Sequence, residues 1–123
     1  MNRISFAKRR PRGLRGALVL ALLAGFTIRA SFAAGPPAVA TVDITKFMFG
    51  PSEITVAPGT TVRWINHDEV PHTVASRDKT KLFTSKAMDT DDQFEFSFAN
   101  EGDYTYICTV HPFMTGVVHV RKP

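Results

Sequence analysis

The sequence predicts an all-β domain folded as a sandwich, and two observations support this fold class. From residue 41 onward, short runs alternate apolar and polar residues, as strands with one buried and one solvated face do. Turn-forming residues separate these runs, and no stretch of ten or more residues repeats its apolar positions at helical spacing. A chain of 123 residues has room for a single domain of this kind, since domains average about 150 residues.

Seven predicted strands follow one another along the chain. They cover residues 41–49, 54–56, 61–66, 72–75, 93–98, 104–108 and 117–121. Four of the intervening turns, at 50–51, 57–59, 100–103 and 115–116, contain Gly or Pro, which supply the fixed or positive φ that tight reversals need. Phe94, Phe96 and Phe98 alternate with polar residues, so we expect these rings and Trp64 to pack in the core. The irregular, charged stretch 77–92 is expected to connect strands of opposite sheets along a solvated surface.

The N-terminus has the pattern of a cleavable signal peptide over residues 1–33. A cationic stretch is followed by an apolar run at 16–28 and by Ser31 and Ala33 at the positions a signal peptidase reads. The apolar run is shorter than the roughly 20 residues that cross a bilayer, so an uncleaved membrane anchor is the weaker alternative. Arg9 and Arg10 leave both the general secretory and the twin-arginine routes open. The mature domain is expected over residues 34–123.

The positive charge of the whole chain belongs to this leader. Lys and Arg number 15 against 11 Asp and Glu, but seven of the cations and none of the acids lie in the first 33 residues. The remainder carries eight cations against 11 acids, a net charge of −3. A mildly acidic domain argues against nucleic acid as the partner.

The single cysteine, Cys108, requires an explanation in an exported protein. With no second cysteine to pair with, its thiol is reactive, joined to another chain, or bound to a metal. Cys108, His111 and Met114 are spaced by three residues, so a loop leaving one strand and entering the next can turn their side chains toward one point. Upstream, His72 lies near a predicted strand end and can reach the same point from a neighbouring strand.

The side chains of these four residues favour copper over zinc. Thiolate and thioether are soft donors, and one Cys with two His and a weak axial Met is typical of blue-copper electron-transfer sites. Zinc more often takes a second cysteine or a carboxylate. We therefore predict a metal site formed by His72, Cys108, His111 and Met114. Met48 and Met88 are interpreted as packing residues.

The mature part of the sequence resembles the small cupredoxins, most closely amicyanin, with likeness also to pseudoazurin and plastocyanin. The matching segments are VAPGTTVRWIN at 56–66, VPH at 70–72, GDYTY at 102–106 and CTVHPFM at 108–114. The resemblance implies an eight-stranded Greek-key β-sandwich holding one type 1 copper, with His72, Cys108 and His111 as equatorial ligands and Met114 axial. Thr73 stands where amicyanins tend to have Asn, and Val110 where they tend to have Pro.

The function expected from this site is single-electron transfer in the periplasm. The protein is expected to be a monomer, and its partners to be redox proteins: an electron donor such as a dehydrogenase and an acceptor such as a c-type cytochrome. The resemblance to amicyanins implies methylamine dehydrogenase as one candidate donor. Phe113 is expected either at an apolar contact rim or in the core. Copper delivery or buffering with the same ligands is the alternative. An enzyme is disfavoured, because copper oxidases need further copper centres that the two remaining histidines cannot supply.

Overall fold

The structure is a computed structural model that describes residues 35–123. Its fold consists of two four-stranded sheets. The expected signal peptide, residues 1–33, lies outside this part. The strands are β1 (Val39–Thr45), β2 (Met48–Gly50), β3 (Glu53–Val56), β4 (Thr60–Asn66), β5 (Ala75–Ser76), β6 (Gln93–Phe98), β7 (Gly102–Ile107) and β8 (Thr115–Val120). One sheet has the order β2-β1-β4-β6 and the other β3-β8-β7-β5. The predicted all-β sandwich is confirmed.

Each sheet contains one parallel pair of strands that are distant in sequence. β1 pairs with β4 and β3 with β8 in parallel, whereas the other pairs are antiparallel. Within residues 35–123, no helix is long and apolar enough to cross a membrane.

Aromatic rings fill the centre of the sandwich. Trp64 is fully buried and lies within 6.5 Å, between ring centroids, of four other aromatic rings. These rings are Phe83, Phe94, Phe98 and Tyr106. The predicted core roles of Trp64 and the alternating phenylalanines are confirmed. Phe83 was not expected there, because it comes from the irregular stretch 77–92, yet it is only 4% exposed.

The structure corrects the first predicted strand. Residues 41–49 form a hairpin, β1 and β2, which reverses at Lys46 and Phe47. Both residues have positive φ, 52° and 58°, although neither is Gly, Asn or Asp. The reversal places Met48 at the surface, 60% exposed, so its predicted packing role is wrong, whereas Met88 is 3% exposed as expected.

The fourth predicted strand, 72–75, is also shifted. The paired strand is β5 at Ala75–Ser76, and His72 instead forms an isolated bridge with Met88. The two backbones exchange hydrogen bonds in both directions, with N···O distances of 3.1 and 2.8 Å. The backbone of His72 is thereby fixed by the fold itself, close to the loop that follows β7.

Candidate metal centre

The loop between β7 and β8 brings Cys108, His111 and Met114 together in a tight reversal. The Cys108 amide donates to the Met114 carbonyl at 3.1 Å, and the Met114 amide donates to the His111 carbonyl at 2.9 Å. The first bond closes the loop across its base, and the second forms a turn within it. Met114 is 2% exposed and belongs to the hydrophobic core.

Three of the predicted ligands meet at the end of this loop. Cys108 Sγ lies 3.8 Å from His72 Nδ1 and 3.7 Å from His111 Nδ1, and the two Nδ1 atoms are 3.2 Å apart. Both imidazoles present the same nitrogen to the sulfur. His72 and Cys108 are fully buried, whereas His111 is partly exposed.

This triangle has the size that one metal ion needs. With metal–nitrogen and metal–sulfur bonds of about 2.0 and 2.3 Å in a plane, nitrogen and sulfur would be about 3.7 Å apart and the two nitrogens about 3.5 Å. The observed separations match these values within a few tenths of an ångström. Within residues 35–123, this is the one His, Cys and carboxylate cluster whose ligand atoms are close enough to share an ion.

The surroundings of Cys108 favour the thiolate that a metal requires. Burial opposes ionisation, but hydrogen bonds, the largest of them from the Thr73 amide, outweigh it and lower the pKa of Cys108 to about 6. The Thr73 amide lies 3.4 Å from Sγ and the Thr73 hydroxyl 3.7 Å. The same hydroxyl accepts a hydrogen bond from the Thr109 amide at 2.8 Å. Thr73 therefore links the segment that follows His72 to the loop that follows Cys108.

Exposed apolar side chains flank His111 in the chain. Phe113 is 71% exposed and Val110 58% exposed. The Phe113 ring centroid is 6.1 Å from that of His111. Of the two expected places for Phe113, the structure shows the rim and not the core.

Two residues at the site were not predicted from the sequence. Asp68 accepts a 2.8 Å hydrogen bond from His72 Nε2, the nitrogen that faces away from the sulfur. The ring of Phe47 lies edge-on to both imidazoles, with centroid distances of 5.4 Å to His72 and 5.0 Å to His111. For Asp68, the only signal in the sequence was its position four residues before His72. For Phe47 there was no signal in the sequence.

Comparison with known proteins decides the family. The model of copper-binding proteins of the plastocyanin/azurin family matches residues 37–121. The chain belongs to this cupredoxin family. Its cofactor is a single type 1 copper, as the resemblance implied. Copper binding and a role in electron transport follow from membership of the family.

Relatives of the cupredoxin cover most of its length. Amicyanin from Paracoccus versutus is 38% identical over 89 residues, which are 70% of this chain and 67% of that protein. Amicyanin-alpha from Methylorubrum extorquens is 31% identical over 119 residues, which are 88% of this chain and 100% of that protein. The solved structure of a purple cupredoxin from Nitrosopumilus maritimus is 35% identical, with a TM-score of 0.62 over 67% of this chain and 99% of that chain.

Proposed function

We propose that this cupredoxin is a periplasmic electron carrier whose copper is bound by His72, Cys108 and His111, with Met114 as a weak axial ligand. The observation that carries the proposal is the convergence of Sγ and two Nδ1 atoms within 3.8 Å of one another. The bound copper supplies a one-electron change between Cu(II) and Cu(I). Residues 1–33 are the export signal and 34–123 the mature domain in this proposal.

A rigid ligand set suits fast electron transfer because neither oxidation state then requires large movements. The His72 backbone is fixed by its bridge to Met88, and the loop of Cys108 is closed by the hydrogen bond to Met114. Full burial of His72 and Cys108 keeps water away from two of the three donors. Little solvent or protein therefore has to rearrange around the metal when its charge changes.

The apolar rim at His111 is the proposed contact with redox partners. Phe113 and Val110 are exposed beside the one ligand that reaches the surface. Weak electron-transfer complexes bury less than about 1,200 Å² in total, which a small patch of this kind can supply. An electron donor such as a dehydrogenase and an acceptor such as a c-type cytochrome would bind here in turn, to a monomeric carrier.

An optical spectrum of the mature form with added Cu(II) tests the ligand set. We expect an intense blue colour from the copper–thiolate bond, which Cys108→Ser should abolish and His111→Ala should strongly alter. His67→Ala is the matched control, because His67 hydrogen-bonds to Asp43 at 2.9 Å and lies outside the cluster. A blue Cys108→Ser protein would overturn the assignment.

Repeated reduction and oxidation separates the carrier from a copper delivery protein with the same ligands. A carrier should keep its copper over many cycles in the presence of a Cu(I) chelator. Loss of the metal at each reduction would favour delivery or buffering and would contradict the electron-transfer role.

A further inference from the structure

Asp68 is a shielded carboxylate that connects two separate parts of the metal centre. Its side chain is 14% exposed. Oδ1 accepts from the Lys46 amide at 2.6 Å, and Oδ2 accepts from the Phe47 amide at 2.9 Å and from His72 Nε2 at 2.8 Å. One carboxylate thus binds the first histidine of the site and the turn between β1 and β2.

The residues of the turn, Lys46 and Phe47, do not by themselves favour its backbone conformation, so the turn needs support from the Asp68 carboxylate. Lys46 and Phe47 both have left-handed backbone conformations, which residues with a Cβ rarely adopt. The two amides point at Asp68 and not at a strand partner. We therefore expect the carboxylate to stabilise the conformation that places the Phe47 ring against both imidazoles.

Asp68 is itself held in place from the side of β4. Its backbone amide donates to Asn66 Oδ1 at 3.0 Å, and Asn66 is fully buried. The Asn66 side-chain amide in turn donates to the carbonyls of Val70 and Met88, both at 2.9 Å. The carboxylate is consequently anchored in the same network that fixes the backbone of His72.

We propose that Asp68 is a positioning residue of the copper centre, which orients His72 through Nε2 and holds Phe47 over both imidazoles through the turn. A carboxylate that accepts from one ring nitrogen fixes the tautomer, leaves the other nitrogen available to the metal, and makes it a stronger donor. The stronger donor and the negative charge favour Cu(II) over Cu(I). This inference rests on the proposed function, in which His72 is a copper ligand.

Asp68→Asn tests the effect on copper, and Asp43→Asn is its matched control. Asp43 makes the same kind of bond, to His67 Nε2 at 2.9 Å, but its histidine lies outside the cluster. Loss of such an outer carboxylate costs about tenfold or more in metal affinity. If that loss falls on Cu(II), the reduction potential of Asp68→Asn should rise by about 60 mV, the one-electron equivalent of tenfold. An unchanged potential, or an equal shift in Asp43→Asn, would overturn the proposal.

A second measurement needs neither copper nor a stable variant. In the metal-free wild-type protein, NMR should show the Lys46 and Phe47 amides protected from hydrogen exchange and the His72 proton on Nε2. Rapidly exchanging amides, or a proton on Nδ1, would refute the connection even if the protein proves to be a blue electron carrier. Conversely, a blue Cys108→Ser protein would overturn the ligand assignment but would not change the expected protection of the Lys46 and Phe47 amides.

Discussion

Gly116 in β8 allows the ring of Tyr106 to lie flat across the strand. A Cβ added at Gly116 would lie 2.7 Å from Tyr106 Cε2 and closer still to Cζ and the hydroxyl oxygen. Tyr106 is fully buried, with ring centroids 5.3 Å from Trp64 and 4.8 Å from Phe49. The ring has no open space to enter, so Gly116→Ala must displace either the core or the strand.

The size of the effect follows from these distances. Carbon atoms in normal contact are about 3.5 to 4.0 Å apart, so the ring or the β8 backbone has to move by roughly 1 Å or more. Overpacking of this kind typically lowers the free energy of unfolding by about 1–3 kcal/mol. Because the Tyr106 ring is fully buried and packed against other rings, we expect a loss near the upper end, about 3 kcal/mol. For a domain of this size each kcal/mol lowers Tm by about 4–8 °C, so Gly116→Ala should melt about 15 °C below the wild type.

Urea and thermal unfolding of the copper-free mature domain measure this difference. Gly35→Ala is the control, since no described atom lies within 4 Å of its added Cβ. Adding Tyr106→Phe to Gly116→Ala should recover only part of the loss, because it removes the hydroxyl and leaves the clash with the ring carbons. Equal stability of Gly116→Ala and the wild type would show that the ring is not held where the structure places it.

Three further predictions concern the site and the surface. Thr73→Val removes the hydroxyl that donates a hydrogen bond to the Cys108 sulfur, so it should lower the reduction potential by about 40 mV, the equivalent of about 1 kcal/mol. Thr73→Ser keeps the hydroxyl and should leave the potential unchanged. A higher potential in Thr73→Val would contradict this. Met114→Leu should keep the blue colour and raise the potential, and a colourless variant would refute an axial role. Asp103 raises the pKa of His119 above its usual 6.5, so their pairing stabilises the fold below pH 6.5 and weakens as the pH rises through the folded pKa. The urea midpoint of the wild type should therefore exceed that of His119→Gln near pH 6 by more than near pH 9, and a pH-independent difference would exclude the pairing.

The sequence was sufficient to predict the all-β fold and the meeting of three of the predicted ligands, His72, Cys108 and His111. Alternating strands have a period that can be read directly, and Cys108 and His111 share one short loop. His72 could be predicted because soft donors without a second cysteine need a further imidazole. Each of these inferences depends on local pattern or on donor chemistry.

What could not be predicted depends on contacts between distant residues. The turn at Lys46 and Phe47 lacks Gly and Asn, the usual signals of positive φ, because a carboxylate 21 residues away from Phe47 stabilises it. Phe83 lies in a stretch without strand alternation, and only the assembled core shows why it is buried. Sequence patterns report local preference, and neither feature is local.

The deep burial of the only tryptophan gives the protein an intrinsic optical reporter. Trp64 has no exposed surface, and its indole nitrogen finds no hydrogen-bond partner among the described residues. Its emission should consequently be short in wavelength when the core is intact and move to the red when water enters. A single fluorophore thus distinguishes variants that have lost only their metal from variants that have lost their interior.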